Sequence, residues 1–268
     1  MKISIITVSY NAVNTIEKTI SSIINQTHEN IEYIIIDGGS NDGTIDIIKK
    51  YSHKIHYWSS EPDNGIYDAM NKGVSMCTGE YLIFMNSGDT FIKKSTLKNC
   101  CEFIKHHAGA DIYYGNTILT YKSGQYLSTP ENLSKLCNQM IFCHQSCLVR
   151  TDLQKRYPFN LNYKILADYY FFRTTYLKGY SYIHINIPIS IYDAEDGVSS
   201  KRIKEMMIEY SRIINSNNYI RHLTNLFYIY LKSSIKKIVP YHIRNKMKMN
   251  SITNNTHLKK INNIDDLL

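Results

Sequence analysis

The stretch SIITVSYNAVNTIEKTISSIINQTHENIEYIIIDGGSNDGT, from Ser4 to Thr44, decides the fold. It holds two short β-branched runs, one reaching from Lys2 to Ser9 and the other from Ile31 to Asp37, and both predict buried strands. Between them Ile16, Ile20, Ile23 and Ile24 recur at helical spacing, behind an Asn14 and a Glu17 placed to cap a helix start. Strand, helix and strand in so short a span make the parallel βαβ unit.

The alternation continues outward. Thr44 to Tyr51 predicts a helix behind a glycine-rich loop, Ile55 to Ser60 a third strand, Ile66 to Met76 a helix and Glu80 to Met85 a fourth strand. The chain therefore predicts an α/β fold, a Rossmann-like and mostly parallel sheet flanked by helices. In such a sheet the strands' carboxyl ends share one edge. Here those ends carry Ser9-Tyr10-Asn11, Asp37 to Gly43, Glu61 to Gly65, and Asn86 to Asp89. Their convergence on one crevice is the first functional signal. The fourth end is the most telling, because the apolar run Tyr81 to Met85 stops just short of a carboxylate, Asp89.

After about residue 107 the pattern changes. Asp111 to Thr120 and Ile141 to Val149 predict strands, Ala167 to Lys178 a helix and Tyr182 to Ile187 a further strand. The expected organisation is a first half over 1–107, an acceptor-side half over 108–200, a basic helical extension over 201–248 and a flexible Asn-rich tail over 249–268. Within the extension, Leu223, Leu226, Phe227, Tyr230, Leu231, Ile235 and Ile238 follow helical spacing and predict an amphipathic helix between Arg221 and Val239.

Composition narrows the class. Forty-three per cent hydrophobic residues and 23 Tyr in 268 residues exclude a disordered chain. No run approaches the roughly 18 apolar residues of a spanning helix, and Met1 to Val8 is too short for a signal peptide, so a cytoplasmic chain is expected. Cys77, Cys100, Cys101, Cys137, Cys143 and Cys147 show no paired or zinc-like spacing and read as reduced thiols. The net charge of +8 is concentrated, since residues 201–250 hold 11 Lys and Arg against only Glu205 and Glu209. That segment alone predicts contact with an acidic surface; its amphipathic helix suits an anionic membrane face or, alternatively, packing on the protein's own core. No zinc finger or stacked aromatic motif supports a nucleic-acid partner.

The opening stretch, followed by SEPDNGIYDAMNKG (Ser60 to Gly73) and TGEYLIFMNSGD (Thr78 to Asp89), resembles the N-terminal half of the inverting glycosyltransferase family 2, whose members have the GT-A fold. The likeness continues more weakly through HQSCLVR and ILADYYFF. It implies a nucleotide-sugar donor, most simply a UDP-sugar, and a divalent metal, Mg or Mn, that bridges the diphosphate. Residue by residue, it implies Ser9, Tyr10 and Asn11 beside the nucleobase, Asp37 on base or ribose, and Asp68 and Asn71 toward ribose or diphosphate. Asp89 becomes the metal ligand, Asp168 the catalytic base at a helix start, and His144 a candidate on the acceptor side. Two departures stand out: Gly38 replaces a second carboxylate after Asp37, and Asn86-Ser87-Gly88-Asp89 carries one carboxylate where the family commonly shows Asp-x-Asp.

The function expected is transfer of a sugar, with inversion, to a glycan or to an undecaprenyl-diphosphate-linked saccharide in bacterial O-antigen, capsule or exopolysaccharide synthesis. Two alternatives stand beside it. A non-catalytic sugar-nucleotide-binding protein would lack a base, yet Asp168 is present; a nucleotide-dependent oxidoreductase would carry G-x-G-x-x-G after the first strand, where Ser9-Tyr10-Asn11-Ala12 stands instead.

Overall fold

The computed structural model describes residues 1–107, 109–195, 202–215, 224 and 256–261. Four strands, β1 (Ile3–Ser9), β2 (Ile31–Asp37), β3 (Tyr57–Ser60) and β4 (Tyr81–Phe84), pair in parallel in the spatial order β4-β1-β2-β3. They alternate with α1 (Ile16–Ile24), α2 (Thr44–Lys50) and α3 (Ile66–Met76). The strands are apolar on both faces because the sheet is covered on both: Ile6, Val8, Ile34 and Ile36 enter one core, Ile3, Ile5, Tyr33 and Ile35 the other. Gly73 lets α3 lie close on the sheet, since a methyl group there would stand 2.6 Å from the Ile6 side chain.

The second half extends the same sheet with reversed strands. After β5 (Thr90–Phe91) and α4 (Thr96–His106) come β6 (Ile112–Tyr121), β7 (Gly124–Ser128), β8 (Cys147–Arg150), α5 (Thr151–Arg156), α6 (Ala167–Leu177) and β9 (Tyr182–Asp193). Strand β8 pairs antiparallel with both β4 and β6, so one sheet runs through both halves. Strand β9 lies parallel to β6 and antiparallel to β5. The sheet is thus mixed beyond β4.

Three local expectations are corrected. Residues 141–149 do not form one strand: a short 3-10 turn over His144–Ser146 precedes β8, and it carries His144 to the crevice. Helix α1 begins after Thr15, with no side-chain cap, and Glu17 instead binds Lys50 and Tyr51. The C-terminal stretch is partly built in, because β10 (Leu258–Ile261) pairs antiparallel with β7. Helix α7 (Ile203–Ile214) packs Ile213 into the core. The amphipathic helix expected between Arg221 and Val239 lies, apart from residue 224, outside the described residues. No helix among the described residues is long and apolar enough to cross a membrane.

At the sheet edge opposite the strand-end loops, buried Glu32 accepts from Lys2 Nζ (2.7 Å), Ser4 Oγ (2.6 Å), Thr78 N (2.7 Å) and Thr78 Oγ1 (2.5 Å). Burial pushes its carboxyl up, but these donors together outweigh it and hold the group at about 2.

Candidate active site

The parallel register sets Ser9 beside Asp37 and Asp37 beside Ser60, so three polar strand ends meet in a row. Asp37 sits in the middle, 0% exposed. Its carboxylate accepts from Ser9 Oγ (2.8 Å), Ser60 Oγ (2.7 Å), Ser40 Oγ (2.6 Å), Ser40 N (2.8 Å) and Gly39 N (3.1 Å). The last two N–H groups turn inward because Gly39 adopts φ 82°, in the left-handed region. Burial alone would raise the carboxyl; the Ser40, Ser60 and Ser9 donors overcome it and hold the group below its ordinary range. Asp37 and Ser9 therefore organise the loop, and the carboxylate's lone pairs are spent within the protein.

The loop after β1 is tied to the loop after β2. Asn11 N donates to Ser40 Oγ (2.7 Å) and Asn41 N donates to Asn11 Oδ1 (3.1 Å). Ala12 N bonds Thr44 Oγ1 (2.8 Å) and Val13 N bonds Asp42 Oδ2 (3.0 Å). Asn11 itself takes φ 46°. These braces leave Tyr10, 67% exposed, as an open aromatic face at the end of β1.

Helix α3 assigns its polar residues otherwise than expected. Asn71 is a staple between the halves: its Nδ2 donates to the Phe159 carbonyl (2.9 Å) and its Oδ1 accepts from Phe159 N (2.8 Å). Asp68 Oδ2 accepts from Asn64 N (2.9 Å), and Lys72 lies 3.9 Å away. Asp37 thus has its lone pairs engaged by its own loops, and Asn71 has one donor and one acceptor site engaged by Phe159. Sequence spacing could place both near the crevice but could not show which backbone groups they satisfy.

The end of β4 is different. Asp89 is 5% exposed, and burial pushes its carboxyl up to about 7 against the opposing influence of His144 and Gln145. Near it, Asn86 Oδ1 and Ser87 Oγ are buried with no hydrogen-bond partner. Asn86 Nδ2 faces His144 Nε2 at 3.2 Å, and His144 Nδ1 faces Asp168 Oδ2 at 3.0 Å. Asp168, in the first turn of α6, also accepts from Tyr67 Oη (2.9 Å) and Tyr169 N (2.8 Å). Burial opposes its charge, but His144 leads the contacts that favour it and the carboxyl stays below its ordinary range. The amide, imidazole and carboxylate thus link the β4 end to α6. With Asp168 as carboxylate, Nδ1 of His144 is the donor in their contact.

One further residue supports Asp168 and was not legible in the sequence. Glu209 on α7 is buried and accepts from Lys164 N (2.6 Å), Ile165 N (3.0 Å) and Leu166 N (2.9 Å), the backbone leading into α6. It anchors the loop that delivers Asp168, and Tyr210 beside it stacks on Tyr169 with ring centroids 6.0 Å apart.

A divalent cation fits the β4 end. One carboxylate and two unpartnered buried oxygens are hard donors, and a Mg-type site takes its remaining ligands from water and substrate phosphate. Among the described residues no cluster of three or more His, Cys, Asp or Glu side chains could hold a metal without such help.

Comparison with known proteins identifies the family and the fold. The sequence profile described as Glycosyl transferase family 2 matches residues 4–177. A "PGL/p-HBAD biosynthesis glycosyltransferase" of Mycobacterium bovis is 33% identical over 175 residues, covering 63% of this chain and 67% of that protein. A Haemophilus influenzae protein described as an uncharacterized glycosyltransferase is 26% identical over 96% of this chain and 90% of its own. Among solved structures, S. aureus TarS 1-349 in complex with UDP has a TM-score of 0.63 at 22% identity, over 84% of this chain and 70% of that one. The mannosyltransferase PcManGT of Pyrobaculum calidifontis, in complex with GDP-Man and Mn2+, has a TM-score of 0.62 at 15% identity, over 93% and 79%. The fold is that of these GT-A enzymes, and the chain belongs to glycosyl transferase family 2.

Proposed function

We propose that the protein transfers a sugar from a nucleoside-diphosphate donor, a UDP-sugar in the simplest case, to a hydroxyl of a surface saccharide or lipid-linked acceptor, with inversion at the anomeric carbon. The carrying observation is the Asn86-His144-Asp168 link, which sets an ionised carboxylate beside the strand end that bears Asp89. In this reading the nucleobase lies against Tyr10, and the diphosphate lies over Asn86 to Asp89. Asp89, Asn86 Oδ1 and Ser87 Oγ would hold a divalent metal, whose charge, when bound, offsets that of the departing diphosphate.

Asp168 accepts the proton of the attacking hydroxyl as the new C–O bond forms on one face of the anomeric carbon and the bond to the diphosphate breaks on the other. His144 holds Asp168 in its charged form. Tyr67, kept protonated by burial and by the Asp168 charge, steadies the second carboxylate oxygen. A concavity lined by Tyr67, Asp68, Tyr163, Lys164 and Arg202, which shares Tyr67 with the Asp168 contacts, suits a polyhydroxyl acceptor. The basic residues of 201–250 suit a location on the anionic inner face of the cytoplasmic membrane, where an undecaprenyl-diphosphate-linked acceptor would lie. O-antigen, capsule or exopolysaccharide assembly fits such an acceptor. Incubation with a panel of nucleotide sugars and saccharide acceptors, reading diphosphate release and the anomeric configuration of the product by NMR, tests the reading. A retained configuration, or no turnover with any donor, would refute it.

A further inference from the structure

With Asp37 spent inside its loop, the nucleotide end of the crevice needs another group to read the base. Gly38 shows where it is. A methyl group at position 38 would stand 2.5 Å from Asp63 Oδ2, 3.2 Å from Asp63 Cγ and 3.4 Å from the Tyr10 ring. The carboxylate of Asp63, in the loop after β3, therefore fills the volume that a side chain after Asp37 would take, in the neighbourhood of the Tyr10 ring. Its Oδ1 accepts from Gly65 N at 2.7 Å and fixes the loop as an Asx turn. Its Oδ2 accepts no hydrogen bond from any described residue.

We propose that Asp63 Oδ2 is the specificity-determining acceptor for a ring N–H of the donor's nucleobase, with the base stacked on Tyr10. This rests on the nucleotide-sugar reading above and adds to it a base class. A carboxylate only accepts, so it selects bases that present a ring N–H, such as uracil or guanine, over cytosine and adenine, which present a bare ring nitrogen at the matching edge. The absence of a side chain at position 38 is then a requirement of the site: it leaves the Asp63 carboxylate its place.

Calorimetric titration of the full chain with UDP, GDP, CDP and ADP in the presence of Mn2+ tests this. The wild type should prefer UDP or GDP. Asp63→Ala should weaken that favoured ligand roughly tenfold or more and leave CDP nearly unchanged. Gly38→Ala keeps Asp63 but displaces its carboxylate, so it should cause the same loss. The double variant should lose no more than Asp63→Ala alone, because both changes remove one contact. Asp63→Asn keeps an acceptor for Gly65 N while presenting an N–H toward the base, so the fold is preserved and preference should move toward CDP. Nucleotide binding with the wild-type preference retained in Asp63→Ala would overturn the assignment of Asp63 and leave the nucleotide-sugar reading intact. Failure of the wild type to bind any of the four nucleotides would overturn both.

Discussion

The two ends of the crevice treat a buried carboxylate in opposite ways. Asp37 at the end of β2 is met by five donors from its own and neighbouring loops, which hold it ionised. Asp89 beyond β4 is as deeply buried, yet burial dominates and its carboxyl is pushed up to about 7, beside two polar oxygens with no partner. Burial of charge therefore does not itself mark the reactive place. The carboxylate with five donors builds the scaffold; the one that burial raises, beside two unpartnered oxygens, is the one proposed to meet a cation.

This contrast can be broken at several points. The largest effect is expected at Asp168→Asn, which keeps the side chain's size but removes proton acceptance: kcat should fall roughly 10² to 10⁴-fold with nucleotide affinity kept. If His144→Ala proves far more damaging than Asp168→Asn, the imidazole rather than the carboxylate takes the proton. Asp37→Ala strands five donors and should cost about 3 kcal/mol, lowering Tm by roughly 6–12 °C. A melt close to the wild type would show that these hydrogen bonds are replaced by water.

Glu32 sharpens the contrast from the far edge of the sheet. Its folded value of about 2 lies below the ordinary 4.5, so its contribution is present in full above about pH 4.5 and is lost as the pH falls through about 2. Glu32→Gln should flatten the fall in stability across that window, by on the order of 2 kcal/mol. An unchanged pH profile would remove Glu32 from the acid response. The smallest effect is expected at Glu209→Gln, which leaves at least one of three backbone N–H groups without its acceptor. A loss of about 1 kcal/mol is expected, with kcat reduced and nucleotide affinity kept, read from melts and steady-state rates. Reduced affinity at unchanged kcat would separate Glu209 from the placing of Asp168.

Local periodicity made the first half legible. The bounds read for the strand Ile31–Asp37 and the helix Ile66–Met76 match those observed, because each is a continuous run whose burial pattern follows from its neighbours in sequence. The crevice at the strand ends followed from the parallel order. Non-local pairings were not legible. Strand β10 exists through its ladder with β7, more than a hundred residues earlier, and nothing in Leu258 to Ile261 announces it. Residues 141–149 have strand composition, but His144 to Ser146 turn and only the end of the run joins the sheet. At the candidate site, Asp89, Asp168 and His144 were named through the family resemblance and their place at a strand end or helix start, and the structure brings His144 and Asp168 together. Asn71 looked as suitable but binds the backbone of Phe159, while Glu209 and Asp63 lay in segments where a carboxylate is ordinary.

The comparison of Asp37 with Asp89 is tested most directly by melting Asp89→Asn and wild type, each with and without UDP and Mn2+. A carboxyl raised to about 7 in the fold costs stability as pH rises from its unfolded value toward 7, so without ligand above that pH the variant should melt at or above the wild-type temperature. It should gain nothing from UDP with Mn2+, whereas the wild type should rise with ligand concentration. A variant that melts well below the wild type, yet gains the same shift from UDP and Mn2+, would make Asp89 a scaffold carboxylate like Asp37 and contradict its assignment to the metal.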